Sequence, residues 1–489
     1  MITFISAILA LILGYFIYGK FIEHFFGANN KIKTPAVRLG DGVDFIPMPT
    51  WKMFTIQFLN IAGLGPIFGA ILGAMYGPVS YIWIVFGCIF MGGVHDYFSG
   101  MLSIRNDGAS LPEIVGKYLG VIAKILLAII TFGLLIMVGV AFVTGPAGLL
   151  KDLTGGGLHY WLYGIFGYYL IATLLPINKI IGKIYPIFGA ALLIMAFSIA
   201  GVMMFNGATG SLQLHELSID QFKNMHANPV QNILYPMMFI VISCGAISGF
   251  HSTQSPMMAR CMKKESYGRP VFYGAMIAEG IVAIIWATAA MNFFGTTSDL
   301  NSTFISGHNP AWIVNEICNT WLGKVGAIFA IVGVIACPIT TGDTAFRSAR
   351  LMIADLFKLE QKSLKSRLLV SIPLFVTGFI LSQLSFGTIW KFLGLFNQLL
   401  AMVMLWTAAM YLVEQKKNHW LLSIPATFMT AICFTYFLVA PHMNGGLNID
   451  LYLGYTIGIL IASLAFTWFL LIAKRKTKRI PYKLKTSTP

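Results

Sequence analysis

Charge is what this sequence has least of. Only 10% of its residues are Asp, Glu, Lys or Arg, and only 18 of its 489 residues are acidic. Soluble domains carry about 25% charged residues. Too little polar surface is available to cover a water-soluble core, so an ordinary soluble enzyme is excluded. The 57% hydrophobic content and a mean hydropathy of +0.77 exclude a disordered chain as well. Cysteine is scarce and unpatterned. Cys88, Cys244, Cys337 and Cys433 stand in apolar runs, Cys261 in a basic loop and Cys318 in another loop, with no C-x-x-C. Neither a disulfide framework nor a zinc site is supported. The sequence also lacks G-x-S-x-G, a Walker A string, H-E-x-x-H and H-x-x-H. No enzyme chemistry and no cofactor are therefore expected, and any transport would draw on an ion gradient rather than on ATP bound by this chain.

What is present is long apolar runs. A helix needs about 20 such residues to cross a bilayer. Thirteen spans are expected, near 2–19, 54–76, 80–104, 120–146, 159–176, 184–206, 230–256, 270–294, 322–342, 368–386, 388–412, 419–440 and 450–473. Runs such as Ile125–Met137 do not alternate, which argues against a barrel. The N-terminus lacks a basic n-region and a cleavage signal, so residues 2–19 read as a retained first span.

The net charge of +15 is explained by topology. Of 33 Lys and Arg, 29 fall in alternate loops, and Lys151, Lys223, Lys324 and Lys391 fall on the other side. Positive charge marks the cytoplasmic face. The N-terminus is then outside, the C-terminus inside, and the span count odd. The basic tail from Lys474 reads as an anchor beside anionic lipid rather than a nucleic-acid site.

Two spans carry helix-breaking strings. Span 2 reads Asn60-Ile-Ala-Gly63-Leu-Gly65-Pro66, and span 7 reads Gly245-Ala-Ile-Ser248-Gly249-Phe250-His251. Glycine and proline open a helix and free backbone groups, which in lipid must face protein, water or a ligand. The breaks lie five spans apart. Because five is odd, the second half would be inverted relative to the first, the arrangement in which broken helices mark a transporter's binding site. The other reading is close helix packing through small residues. The domain reading is a first span and gate segment over 1–53, repeats over 54–206 and 207–412, and two further spans with the tail over 413–489.

Acids inside spans are few. Asp96 lies in span 3, Glu279 about 13 Å into span 8 by helix rise, and Asp343 at the inner end of span 9. Each is either a proton or ion carrier or a buried partner for another helix. His251 has the same two readings. Thr340 and Thr341, beside Asp343, offer hard oxygen ligands of the kind a Na⁺ site uses; Asp343 alternatively pairs with Arg347. Lys179 and Lys183 read as positive-inside charges. Asn397 and Gln398 in span 11 either line a cavity or bond between helices.

Several segments resemble the carbon starvation protein A family. Thr34-Pro-Ala-Val-Arg38-Leu-Gly-Asp41-Gly-Val-Asp44-Phe-Ile-Pro47 is similar to its T-P-A-V-R-x-x-D-G-x-D-[YF]-x-P string, and Ile61-Ala-Gly63-Leu-Gly65-Pro66 to I-A-G-x-G-P. Asp96 sits where the Q-D-F segment has its Asp, with His95 in place of Gln. Arg105-Asn-Asp107-Gly108-Ala-Ser110-Leu resembles R-x-D-G-x-S-L, and Cys244–His251 resembles C-G-A-[IV]-S-G-F-H. Glu279, Asp343 with Arg347 and Arg350, and Asn397-Gln398 have counterparts too.

The resemblance implies an all-α bacterial inner-membrane uptake protein with a LeuT-type 5+5 inverted repeat, linked to starvation. Its solutes would be peptides or pyruvate-like carboxylates, with proton coupling for the pyruvate members. On this expectation Asn60, Gly63, Gly65, Pro66, Gly245, Ser248, Gly249, Phe250 and His251 bind a small solute, with freed N–H groups facing its carboxylate. Asp96, Glu279, Thr340, Thr341 and Asp343 carry H⁺ or Na⁺, and Arg38, Asp41 and Asp44 belong to an inner gate. A solute sensor that moves nothing is the alternative. The solute, the coupling ion and the oligomeric state are not fixed by the sequence.

Overall fold

The computed structural model describes residues 1–42, 44–174, 181–361, 363–384 and 386–479. Lys179 and the tail beyond Arg479 lie outside the described residues, as does the side chain of Lys183. In chain order the main helices are α1 (Ile2–Phe26), α2 (Thr50–Ala62), α3 (Gly65–Ala74), α4 (Ser80–Arg105), α5 (Leu111–Leu119), α6 (Val121–Thr154), α7 (Leu158–Leu174) and α8 (Ile181–Ala208). After the break in span 7 come α9 (Gly249–Ala259), α10 (Glu265–Phe293), α11 (Thr297–Ile305), α12 (Pro310–Ile331) and α13 (Cys337–Phe357). The chain closes with α14 (Leu364–Leu381), α15 (Phe386–Glu414), α16 (Trp420–Val439) and α17 (Leu451–Arg479). Among the described residues no strand is present.

Nine of the described helices are long and apolar enough to cross a membrane, and the pair α2 and α3, bent by 50°, makes a tenth. The other three expected spans fall on α7, on the broken segment ending in α9, and on α12 with α13. None of these three qualifies by itself on length and composition, so the count of thirteen stays an expectation.

Packing groups these helices as a twofold repeat requires. Spans 2, 3, 7 and 8 (α2–α3, α4, α9 and α10) pack on one another, and spans 4, 5, 9 and 10 (α6, α7, α13 and α14) form a second group. Each group therefore holds two consecutive spans from each half of the chain. Outer helices α1, α14 and α17 expose apolar side chains such as Phe16, Leu369 and Trp468, as a lipid-facing surface does.

Both expected breaks are present. Helix α2 ends at Gly63, where φ is −29° and ψ −119°, and α3 resumes two residues later. In span 7 the helix stops after Val241 and restarts at Gly249, with Gly245 at φ +93° and Ser248 extended. The two breaks press against each other. A Cβ on Gly65 would run into the Cys244 side chain, and one on Gly245 would come within 2.6 Å of the Ala283 Cβ. Glycine here both opens the backbone and admits the crossing segment, so the helices are broken and closely packed at the same positions.

Candidate functional site

Three buried ionisable side chains converge behind the crossing. Asp96 projects from α4, His251 from the first turn of α9 and Glu279 from α10, and none has any solvent exposure. His251 Nδ1 lies 2.8 Å from Asp96 Oδ2, while its Nε2 lies 3.3 Å from Glu279 Oε2. The latter contact is within ion-pair reach but off the line of a hydrogen bond. The other Asp96 oxygen is 2.8 Å from His95 Nδ1. The result is a row from His95 through Asp96 and His251 to Glu279. Desolvated charges are stable only when paired, and here one imidazole stands between two carboxylates. Glu279, expected either as an ion carrier or as a buried partner for another helix, has the His251 imidazole within ion-pair reach. Sequence reading missed Cys244, one residue before Gly245 in the break. Its sulfur, a His251 ring nitrogen and a Glu279 oxygen lie within 4.8 Å of one another, a donor set that could hold a metal ion.

The break in span 7 is held from α15. Asn397 Oδ1 accepts the Phe250 backbone N–H at 2.7 Å and the Ser248 hydroxyl at 3.0 Å. The neighbouring Gln398 donates to the Ile247 carbonyl at 3.2 Å. A freed N–H at the start of α9 and a freed carbonyl inside the break are thus satisfied by adjacent amides, and Gln398 also donates to the Phe239 carbonyl ahead of the break at 3.4 Å. This corrects one expectation. The Phe250 N–H, anticipated as a solute contact, is bound within the protein. It also shows that Asn397 does both things foreseen for it, bonding between helices and lining a cavity.

A cavity of about 500 Å³ lies on the other side of the crossing. Gly65, Ser243, Cys244, Phe250 and Asn397 line it at the breaks, and His226, Asn232, His308 and Asn309 line it where the loops meet. Phe68, Phe142 and Trp390 line its walls. Among the described residues of α9, Phe250 in its first turn lines the cavity and none further along does. Of the nine expected solute-binding residues, Gly65 and Phe250 line it. Pro66, Gly245, Ser248 and Gly249 build the crossing beneath it, and His251 belongs to the acid row. Asn60 is buried on α2, and neither its amide oxygen nor its amide nitrogen has a hydrogen-bond partner.

The remaining residues form two other places. Thr341 Oγ1 donates to the Leu59 carbonyl at 3.1 Å and stands against Gly63, where a Cβ would lie 3.0 Å away. Thr340 Oγ1 donates to the Cys337 carbonyl at 2.6 Å, and Asp343 is buried three residues further along α13. This brings span 9 to the break of span 2. At the end of the molecule that carries the basic loops, Arg38 pairs with Asp107. Asp41 Oδ1 accepts the N–H groups of Asp44 and Phe45, each at 2.9 Å. Met48 N–H then bonds the Cys261 carbonyl at 3.0 Å, and the Arg260 guanidinium lies 5.4 Å over the Phe45 ring. The segment is therefore strapped across the end of α9.

The model of the carbon starvation protein CstA family matches residues 1–157, 147–317 and 301–436. The chain belongs to that family. A Haemophilus influenzae relative described as an uncharacterized membrane protein is 43% identical, over 63% of this chain and 95% of its own length. The Bacillus subtilis peptide transporter CstA is 27% identical, over 82% of this chain and 83% of its own. Among solved structures, a Na⁺-coupled sialic acid symporter in a substrate-bound outward-open state matches with a TM-score of 0.54 at 13% identity, covering 96% of each chain. At that identity the likeness concerns fold alone. The chain is an all-α, multi-span membrane protein with a LeuT-type fold.

Proposed function

We propose that this protein is a secondary active transporter of the bacterial inner membrane that imports a small organic solute with H⁺ or Na⁺. The observation that carries the reading is the crossing of the two broken helices. A solute-sized cavity lies on one side of it, and a buried carboxylate–imidazole–carboxylate row lies on the other. Ligand pockets occupy about 300–1,000 Å³, and the cavity falls in that range. Peptides, amino acids and pyruvate-like carboxylates are the solutes to test, and the family supports a place in the carbon starvation response.

The repeats take residues 54–206 and 207–412, between the leading gate segment 1–53 and the two last spans with the tail, 413–489. The N-terminus lies outside and the C-terminus in the cytoplasm, so the cavity opens outward. The strap of Arg38, Asp41 and Asp44 then closes the inner face. Asn60, Gly63, Gly65, Pro66, Gly245, Ser248, Gly249, Phe250 and His251 shape the solute path around the crossing. Asp96, His251 and Glu279 carry the proton. An imidazole within reach of two carboxylates passes a proton between them as the helices that bear them shift. The second reading of the coupling ion is Na⁺ at Thr340 and Thr341 beside Asp343, favoured by the Thr341 hydroxyl at the Leu59 carbonyl next to the span 2 break. Uptake into liposomes under separately imposed proton and sodium gradients tests both. One gradient is expected to drive accumulation, and accumulation indifferent to both defeats the proposal.

A further inference from the structure

The charge of the solute can be read from what the cavity leaves out. Among its described lining residues there is no Lys, Arg, Asp or Glu. Its walls are Phe68 against Trp390, ring centroids 5.9 Å apart, with Phe142 and Phe250 also lining it. Tyr76 and His226 also line it, with ring centroids 5.1 Å apart, and burial pushes the His226 imidazole below its ordinary value by disfavouring its charged form.

An organic anion placed in such a cavity loses its hydration and finds no cationic side chain among the described lining residues to replace it. A helix N-terminus would be the usual substitute. Here the Phe250 N–H at the start of α9 already bonds to Asn397 Oδ1. The floor does not favour an anion either. Cys244 sits with its sulfur within 4.8 Å of a Glu279 oxygen, and behind it two carboxylates face the one imidazole of His251. What the floor does offer is a donor. Asn397 Nδ2 has the Cys244 sulfur at 3.8 Å as its contact, a weak acceptor that a better one displaces.

We infer that the cavity selects a solute without net charge, with a bulky apolar body between Phe68, Trp390, Phe142 and Phe250 and an acceptor oxygen at one end on Asn397 Nδ2. Zwitterionic α-amino acids with large apolar side chains have this chemistry, and a small free carboxylate does not. The inference rests on the reading of this cavity as the solute site. Aromatic walls supply contact area and offset-ring packing to a large side chain and nothing comparable to a methyl group.

The experiment measures binding of L-phenylalanine, L-leucine, L-alanine and pyruvate to the purified full chain in nanodiscs, by tryptophan fluorescence and thermal shift, and their uptake into liposomes in parallel. L-Phenylalanine and L-leucine are expected to bind at least ten-fold more tightly than L-alanine and pyruvate. Phe68→Ala and Trp390→Ala are expected to reduce that preference at least five-fold. Asn397→Asp keeps the acceptor oxygen for Phe250 and Ser248 but loses the donor, so it is expected to weaken L-phenylalanine binding ten-fold or more. Phe68→Leu serves as the milder variant if the alanine forms do not fold. Pyruvate binding as tightly as L-phenylalanine, or no binding by any of the four, overturns the inference. Gradient-driven pyruvate uptake with L-phenylalanine ignored leaves the transporter reading standing and removes this one. Tight L-phenylalanine binding without flux under either gradient does the reverse.

Discussion

Asp96 Oδ2 stands 2.8 Å from Nδ1 of His251, joining a residue of the first half of the chain to the broken helix of the second. Proton coupling through this contact requires Glu279 on the imidazole's other side. Glu279→Gln is expected to abolish accumulation driven by a proton gradient, by at least ten-fold, while solute counterflow persists. Asp96→Asn is expected to lose both, because it also unpins His251. Comparing gradient-driven uptake with counterflow in the same liposomes checks the distinction.

Asn397→Ala removes the acceptor for the Phe250 N–H and the Ser248 hydroxyl in a buried place. An unsatisfied buried donor costs about 1–3 kcal/mol. The expected outcome is a lowered thermal unfolding midpoint in detergent together with loss of uptake. Gln398→Ala, acting on carbonyls that tolerate a missing donor better, is expected to lower it less.

Gly65→Ala places a methyl group on the Cys244 side chain, an overpacking that costs about 1–3 kcal/mol. Cys244→Gly in the same chain removes both obstructing atoms, the Cys244 Cβ and sulfur. Thermal midpoints of the two single variants and the double variant are expected to be non-additive, with the double variant closer to the parent than Gly65→Ala alone.

Arg38 and Asp107 form an ion pair whose side chains are 49% and 61% exposed, so it contributes about 0–1 kcal/mol to stability. Its reversal is expected to leave the unfolding midpoint within a degree or two of the parent and still change the initial uptake rate, since the proposed gate includes the pair. Arg38→Glu with Asp107→Arg is expected to restore the rate. A rate unaffected by Arg38→Glu removes the pair from the gate.

The outer loop provides a pH signature. Partial burial raises the Glu216 carboxyl, but hydrogen bonds from the N-terminal ammonium and Thr3 outweigh it and hold the group at about 2, below its ordinary 4.5. A carboxylate depressed by folding stabilises above its unfolded value and loses that contribution as pH falls toward the folded one. The midpoint difference between the parent and Glu216→Gln is therefore expected to be full at pH 5–6 and to shrink between pH 4.5 and 2. With Glu216 40% exposed, salt is expected to reduce the difference at every pH.

The sequence disclosed ten of its expected spans and both breaks because apolar length, glycine and proline act locally. Asp96, His251 and Glu279 were each visible as costly intramembrane groups. Their meeting was not, because 155 residues separate Asp96 from His251 and helix rotation leaves no trace in spacing. Asn397 stood out as polar in an apolar run, but its bonds to span 7 depend on how two distant helices lie. The aromatic wall was hidden by abundance: with 38 Phe in the chain, no single one signals a binding surface. Cys244 was legible only in hindsight, from its place beside Gly245.

The adjacent amides at 397 and 398 also make the two broken helices mechanically unequal. Span 7 is pinned to α15 on both sides of its gap. The break of span 2 meets the Thr341 hydroxyl and the glycine-lined crossing. In the transporter proposed above, span 7 would then serve as the fulcrum and span 2 as the lever. Tilting of the lever would drag Gly65 across Cys244, so the sulfur at the cavity floor would be the point at which a change in helix angle becomes a change in what the acid row can reach.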